Sequence, residues 1–270
     1  MDEEPTGTAG DGLARSLGLP GHVDLGWCLG STRSSEVWTG RDRRRGRDVV
    51  VKVHRGPGVA GRVEVEARAT ARLAGTAGVI VPVAVGSVGD DVAWLVTDRA
   101  VGGPLADRTA ASPSELARWV AEVAAALASA HALGVVHGDV TPANVLLDRA
   151  RDPHRADAHA VLADFGSAAL LSDPRPPAGP GGRQPLGHTP AFAAPERRRG
   201  GPASPESDVF GLGATFAATA VRLGVELPGG VARALVACGA ERPARRPTAA
   251  ALAARLRPWR GDGAGRGRRR

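Results

Sequence analysis

Two acids and an amide are spaced along the second half of the chain in a way that suits phosphate chemistry. Asp139 precedes Asn144 by five residues in His137-Gly138-Asp139-Val140-Thr141-Pro142-Ala143-Asn144-Val145-Leu146-Leu147, and Asp164 follows in Ala163-Asp164-Phe165-Gly166. An acid, an Asn and a second acid make a donor set for oxygen-ligated magnesium. A third resource lies upstream. Lys52 is the single lysine among 35 basic residues. Arg has taken the other positions, so the place that keeps Lys is expected to need a compact ammonium rather than a planar fork. Lys52 lies in Val49-Val50-Val51-Lys52-Val53, where a buried strand carries one charge and requires a partner.

The order Asp, Asn at plus five, then Asp-Phe-Gly resembles the eukaryotic-like (Hanks-type) bacterial Ser/Thr protein kinases. The resemblance runs from about Val23 to Leu256. It implies an α+β, bilobal fold with a β-rich small lobe and a helical large lobe. It also implies ATP and Mg2+ as cofactors and a protein hydroxyl as acceptor. In that family the Asp at the place of Asp139 accepts the substrate proton, and residues matching Asn144 and Asp164 hold the metal. Lys52 would reach the α and β phosphates and pair with a Glu of the following helix. Glu66, seven residues before Leu73, matches that Glu, which leaves Glu64 as a solvated charge. Around the nucleotide the resemblance places Leu29, Gly30, Val37, Val50, Lys52, Thr97, Asp98, Ala100 and Leu146. Thr97 stands at the gatekeeper position and Asp98-Arg99-Ala100 at the hinge.

The elements that must carry these residues are legible in outline. Short β-prone segments run from Val23 to Val53, with a basic turn at Arg41 to Arg47 expected to be solvated. A helix is expected over Arg62 to Leu73, and strands over Ile80 to Val85 and Val92 to Val96. Ser112-Pro113-Ser114-Glu115 has the N-cap, first-turn Pro and third-position Glu of a helix start. That helix is predicted to reach Leu133, with His131 packed near its end. A β-pair, Val145–Leu147 and Ala160–Ala163, follows, with His154 and His159 expected in solvent. Residues 172–188 are rich in Pro and Gly and read as a mobile activation segment. Ala194-Pro195-Glu196 resembles the segment's closing motif. In the family its Glu pairs with an Arg, here Arg246 of Arg246-Pro247-Thr248, and an Asp matching Asp208 braces the catalytic loop.

The chain also departs from the family. Only Gly30 of the three loop glycines is present, with Thr32 and Ser35 at the others. Gly138 stands where many kinases have an Arg that anchors a phosphorylated loop. Thr141 stands where Ser/Thr kinases usually have Lys, removing a positive charge near the transition state. The helix carrying Asp208 should end near Gly224 and the next begin near Pro228, so one large-lobe helix is missing or shortened. The expected activity is protein Ser/Thr phosphorylation. A pseudokinase or ATP-binding scaffold is the alternative, and an aminoglycoside-type phosphotransferase stands third. With no tyrosine in the chain, autophosphorylation would fall on Ser or Thr, with Ser167, Ser172 and Thr189 in the activation segment.

Composition adds boundaries. The predicted organisation is a disordered lead over 1–20, a kinase domain over 21–258 and a basic tail over 259–270. Within the domain the small lobe covers 21–97, the hinge 98–100 and the large lobe 101–258. The net charge is +7, and residues 260–270 hold five Arg and one Asp, so the tail supplies +4 of it. That tail is expected to be exposed, with attraction to acidic lipid or nucleic acid as the alternative. The two distant cysteines, the acidic start and the absence of a long apolar run point to a reducing cytosol with no leader or transmembrane segment. The wealth of Ala, Gly, Arg and Pro suggests a GC-rich bacterial coding sequence.

Overall fold

The computed structural model describes residues 9–149, 158–171 and 189–260. The chain divides into two units, one holding the residues up to Ala71 with Ile80–Arg99, the other Arg72–Val79 and the residues from Ala100 on.

The first unit is a five-stranded antiparallel sheet with one helix at the start and one between its strands. Helix α1 (Ala9–Ser16) precedes β1 (Val23–Ser31), β2 (Ser35–Asp42) and β3 (Arg47–Arg55), a meander whose third strand holds four valines. Helix α2 (Val59–Ala71) then leads to β4 (Pro82–Val88) and β5 (Val92–Asp98), giving the order β1-β2-β3-β5-β4. Side chains alternate between faces along a strand. Val49, Val51 and Val53 are fully buried on one face with Trp94 and Val96. Val50 and Lys52 therefore belong to the other face, where Ala93 packs against Val59 and Val63 of α2.

The sequence predicts a disordered lead over 1–20, and from Ala9 onward the structure corrects this. Leu17 is buried within the β3–β5 core, and Leu13 and Leu19 pack beside it. The indole Nε1 of Trp94 donates to the Leu17 carbonyl at 2.7 Å. Gly10 admits the close approach, because a Cβ there would lie 3.0 Å from the Leu25 carbonyl oxygen. The basic turn is solvated as expected, its arginines exposed and paired with acids at the surface. Arg41 pairs with Asp48 at 2.6 Å, and Arg45 and Arg47 both reach Asp98, at 2.6 and 3.2 Å.

The second unit is organised on α3 (Pro113–Ala132), whose Leu116, Val120, Val123 and Leu127 are fully buried. Its start is a complete capping box between Ser112 and Glu115. β6 (Val135–Val136), β7 (Val145–Asp148), β8 (His159–Leu162) and β9 (Ala169–Leu170) form two short pairs, β6 with β9 and β7 with β8. His159 is not in solvent as expected. Its Nδ1 lies 2.7 Å from Glu122 Oε1, and Glu122 also accepts the Ala160 N–H at 2.7 Å, so the acid of α3 pins the start of β8.

The chain continues through α4 (Pro195–Arg198), α5 (Pro205–Leu223), α6 (Gly229–Cys238) and α7 (Ala249–Leu256). Helix α5 ends at Gly224 in the left-handed region (φ 64°), and α6 begins directly after Pro228, as the sequence predicts. A 3-10 turn at Arg257–Trp259 sets Trp259 over Gly230, where a Cβ would meet the ring at 2.8 Å, so the fold passes the boundary expected at 258. The expectations for residues 1–8, His154, the activation segment 172–188 and the tail beyond 260 lie outside the described residues. Among the described residues no helix is long and apolar enough to cross a membrane. Cys28 is exposed and Cys238 buried, both as free thiols, and burial pushes the Cys238 thiol up to about 12.

Candidate active site

The loop that carries Asp139 is held from below by one buried acid. Asp208, near the N-terminus of α5 and 1% exposed, accepts the N–H of His137 on Oδ2 and of Gly138 on Oδ1, both at 2.8 Å. His131 Nε2 donates to the same Oδ2 at 2.9 Å. Sequence reasoning named the brace but read His131 as packing alone. Its partner lies 77 residues away, so no local pattern shows it. His137 completes the frame. Its Nε2 donates to the Ala163 carbonyl at 3.0 Å, its Nδ1 accepts the Asp139 N–H at 3.3 Å, and its ring lies 4.5 Å from that of Phe165. Thr215 Oγ1 holds the next carbonyl, Val140, at 3.0 Å.

On this frame Asp139 and Asn144 meet. Asn144 Nδ2 donates to the Asp139 carbonyl oxygen at 2.9 Å and to its Oδ2 at 3.3 Å. The amide nitrogen of Asn144 is thereby engaged, and its Oδ1 is the atom left to accept a cation. Thr189 approaches from the other side, its N–H 2.8 Å from Asp139 Oδ1 and its hydroxyl 3.4 Å from Oδ2. The sequence marks Thr189 only as a candidate phosphorylation site, whereas its hydroxyl faces the proposed base.

Asp164 is the single non-glycine residue with positive φ among the described residues, at 61°. Such a backbone costs energy and is characteristic of functional positions. Among the described residues no three His, Cys, Asp or Glu side chains converge into a self-contained metal site.

One departure acquires a physical reason and the other a structural setting. Gly138 has φ 83°, and a Cβ there would lie 2.4 Å from the Ser167 carbonyl oxygen, so the backbone path itself favours glycine. Thr141 is buried, and its carbonyl accepts the N–H groups of Asn144 and Val145 at 3.1 Å, which turns the loop into β7. Leu146 follows on β7, and Ala100 is buried in the same unit. The segment after Ala100 is tied to β7 by Gly102 N–H to Leu147 O at 2.7 Å and Leu147 N–H to Gly103 O at 2.8 Å.

The first unit arranges the remaining residues on its sheet. Lys52 is paired in register with Val37 on β2 and Leu95 on β5, and Val50 with Thr97. Helix α2 covers this face, and its Glu66 is buried one turn beyond Val63, whereas Glu64 is exposed and pairs with Arg68 at 2.6 Å. Gly30 pairs with Val37, and Leu29 beside it is half exposed. The turn between β1 and β2 is pinned by the residue replacing glycine. Thr32 Oγ1 accepts the N–H groups of Ser34 and Ser35 at 3.3 and 3.0 Å and meets Ser35 Oγ at 3.0 Å. Asp98, expected at the hinge, is held by Arg45, whose charge its carboxylate hydrogen bond reinforces.

Comparison with known proteins agrees with this architecture. Residues 25–223 match the protein kinase domain family. The chain belongs to that family. It is similar to the serine/threonine-protein kinase PkaB of Streptomyces coelicolor, 36% identical over 196 residues covering 63% of this chain and 46% of that protein. The DNA damage-responsive serine/threonine-protein kinase RqkA of Deinococcus radiodurans is 34% identical over 214 residues, 73% of this chain and 29% of that protein. The CBL-interacting protein kinase 22 of Oryza sativa subsp. japonica is 35% identical over 193 residues, 63% of this chain and 41% of that protein. The chain spans less than half the length of these curated relatives.

Proposed function

We propose that the chain is the kinase domain of a protein Ser/Thr kinase, transferring the γ-phosphoryl group of ATP to a Ser or Thr hydroxyl. The observation that carries this reading is the Asp139–Asn144 pair on a loop braced by Asp208. Asp139 orients the incoming hydroxyl and accepts its proton as the oxygen attacks phosphorus. Asn144 Oδ1 and the Asp164 carboxylate would hold magnesium, which would supply positive charge to offset that of the phosphates. Lys52 holds the α and β phosphates, with Glu66 as its partner on α2. On this reading the first unit would offer the nucleotide Leu29, Gly30, Val37, Val50, Thr97 and Asp98, and the second unit Ala100 and Leu146. Two free thiols support a reducing, cytosolic setting for this domain.

The scaffold alternative draws on one specific feature. Thr32 occupies two backbone N–H groups of the turn that would otherwise be available to phosphate. The experiment that separates the readings is phosphate transfer from radiolabelled magnesium-ATP to generic protein acceptors, with aminoglycosides as a control. Asp139→Asn should retain ATP affinity and lose at least about a hundredfold in turnover. Turnover at the wild-type rate in that variant overturns the assignment. ATP binding without any transfer by the wild type selects the scaffold.

A further inference from the structure

Arg197 follows the Glu of the Ala-Pro-Glu motif on α4, yet its side chain runs inward and the residue is only 9% exposed. Nη1 donates to the Gly201 carbonyl at 2.9 Å, while the buried Nε has no hydrogen-bond partner among the described residues. A guanidinium placed so deep needs opposite charge nearby. Burial lowers its pKa, and Asp208, then Asp139, then Glu196 oppose that fall. All three acids have other partners, but those of Asp139, the Asn144 amide and the N–H and hydroxyl of Thr189, carry no charge. Glu196 takes both prongs of Arg246, and Asp208 takes two loop N–H groups and His131.

Arg197 and Asp139 line one small cavity of about 10 Å³ together with Gly138, Ser207 and Gly211. That is the room of a single water molecule. Meanwhile Thr141, two residues past Asp139, is neutral and 3% exposed. We propose that Arg197 is a positioning residue for Asp139, supplying from beneath the catalytic loop the positive charge that position 141 lacks. This rests on the reading of Asp139 as the residue that orients the attacking hydroxyl.

Two measurements test it. The first is denaturant unfolding of Arg197→Gln in the wild-type and Asp139→Asn backgrounds. If the two charges are coupled, the loss of midpoint caused by Arg197→Gln is at least halved when Asp139 is already neutral; additive losses overturn the proposal. Arg197→Met, which keeps the packing of the stem, serves if the Gln variant does not fold. The second is steady-state kinetics. Arg197→Gln should lower kcat about tenfold or more, as for loss of a transition-state charge, with both KM values within about twofold. Arg197→Lys should restore most of the rate, which a residue that merely packs would not require. An unchanged kcat in the Gln variant, or no rescue by Lys, also overturns the role. Coupled unfolding combined with a wild type no faster than Asp139→Asn leaves the Arg197–Asp139 pairing standing and sinks the kinase reading instead.

Discussion

Arg246 grips Glu196 across 50 residues of sequence, Nη1 to Oε1 at 2.6 Å and Nη2 to Oε2 at 2.9 Å. The remaining N–H groups of its guanidinium reach the carbonyls of Ala240, Glu206 and Glu241 at 2.8 to 3.1 Å. The five donors of an arginine are thus all used, and its side chain is fully buried. Burial alone would raise the Glu196 carboxyl, but the Arg246 fork, a backbone hydrogen bond and the charge of Arg199 together hold the group below its ordinary value. Removing one partner of such a pair leaves an uncompensated charge, so Glu196→Gln should cost about 3–5 kcal/mol. The depressed pKa fixes the sign of the pH effect. The contribution is complete above the ordinary carboxylate range and is lost as pH falls through the lowered value. Urea unfolding from neutral to acid pH should therefore show a smaller acid loss in Glu196→Gln than in the wild type.

The lone lysine offers a sharper test of the first unit. Lys52 shares the α2-covered face of the sheet with Val50. Arg keeps the charge but carries a wide planar fork, while Lys presents a compact ammonium. Lys52→Arg is expected to reduce phosphate transfer nearly as far as Lys52→Ala. A rate close to the wild type would instead indicate a stem that reaches solvent.

Restoring the family's Arg at position 138 should not restore a switch. Any Cβ at 138 meets the Ser167 carbonyl at 2.4 Å, and φ is 83°. Gly138→Ala already imposes both penalties and should destabilise by more than about 1 kcal/mol. Denaturant midpoints of the Ala and Arg variants should drop together, with no gain in activity after phosphorylation. A stable and faster Gly138→Arg enzyme would count against this view of the loop.

Leu17→Ala tests the lead segment. Leu17 is 3% exposed in the sheet core, and removing a buried leucine side chain costs about 2–5 kcal/mol. Trp94→Phe should cost about 1–3 kcal/mol, because the Leu17 carbonyl is left without its donor. Chains beginning at residue 21 should unfold at distinctly lower denaturant concentration than the full chain. Equal midpoints would return the segment to a dispensable role.

These residues also show what a sequence exposes and what it hides. The Ser112 capping box and the Gly224 stop were readable because each rests on local geometry, whereas the Arg246–Glu196 pair, 50 residues apart, was legible only through the resemblance to the kinase family. Helix α1 was hidden because Gly10 and Gly12 lower helix propensity, while the stabilising contact comes from Trp94, far along the chain. His131 and His159 read as packing and solvent because their acids, Asp208 and Glu122, sit on other elements. Arg197 gave no signal in a chain where nearly every cation is Arg. Its burial depends on the path of α4, which propensity does not encode.

The Trp94–Leu17 hydrogen bond spans 77 residues, and this dictates an order of events on the ribosome. At about 5–20 residues per second, Trp94 is polymerised roughly 4–15 s after Leu17. The β3 strand cannot be paired on both edges until β5 exists, since β5 is inserted between β3 and β4. Leu13, Leu17 and Leu19, which lie upstream of every strand of the sheet, are therefore among the last apolar residues of the first unit to be covered. During that interval the nascent chain displays Leu13, Leu17 and Leu19 together, a site open to chaperones and to neighbouring chains on the same messenger.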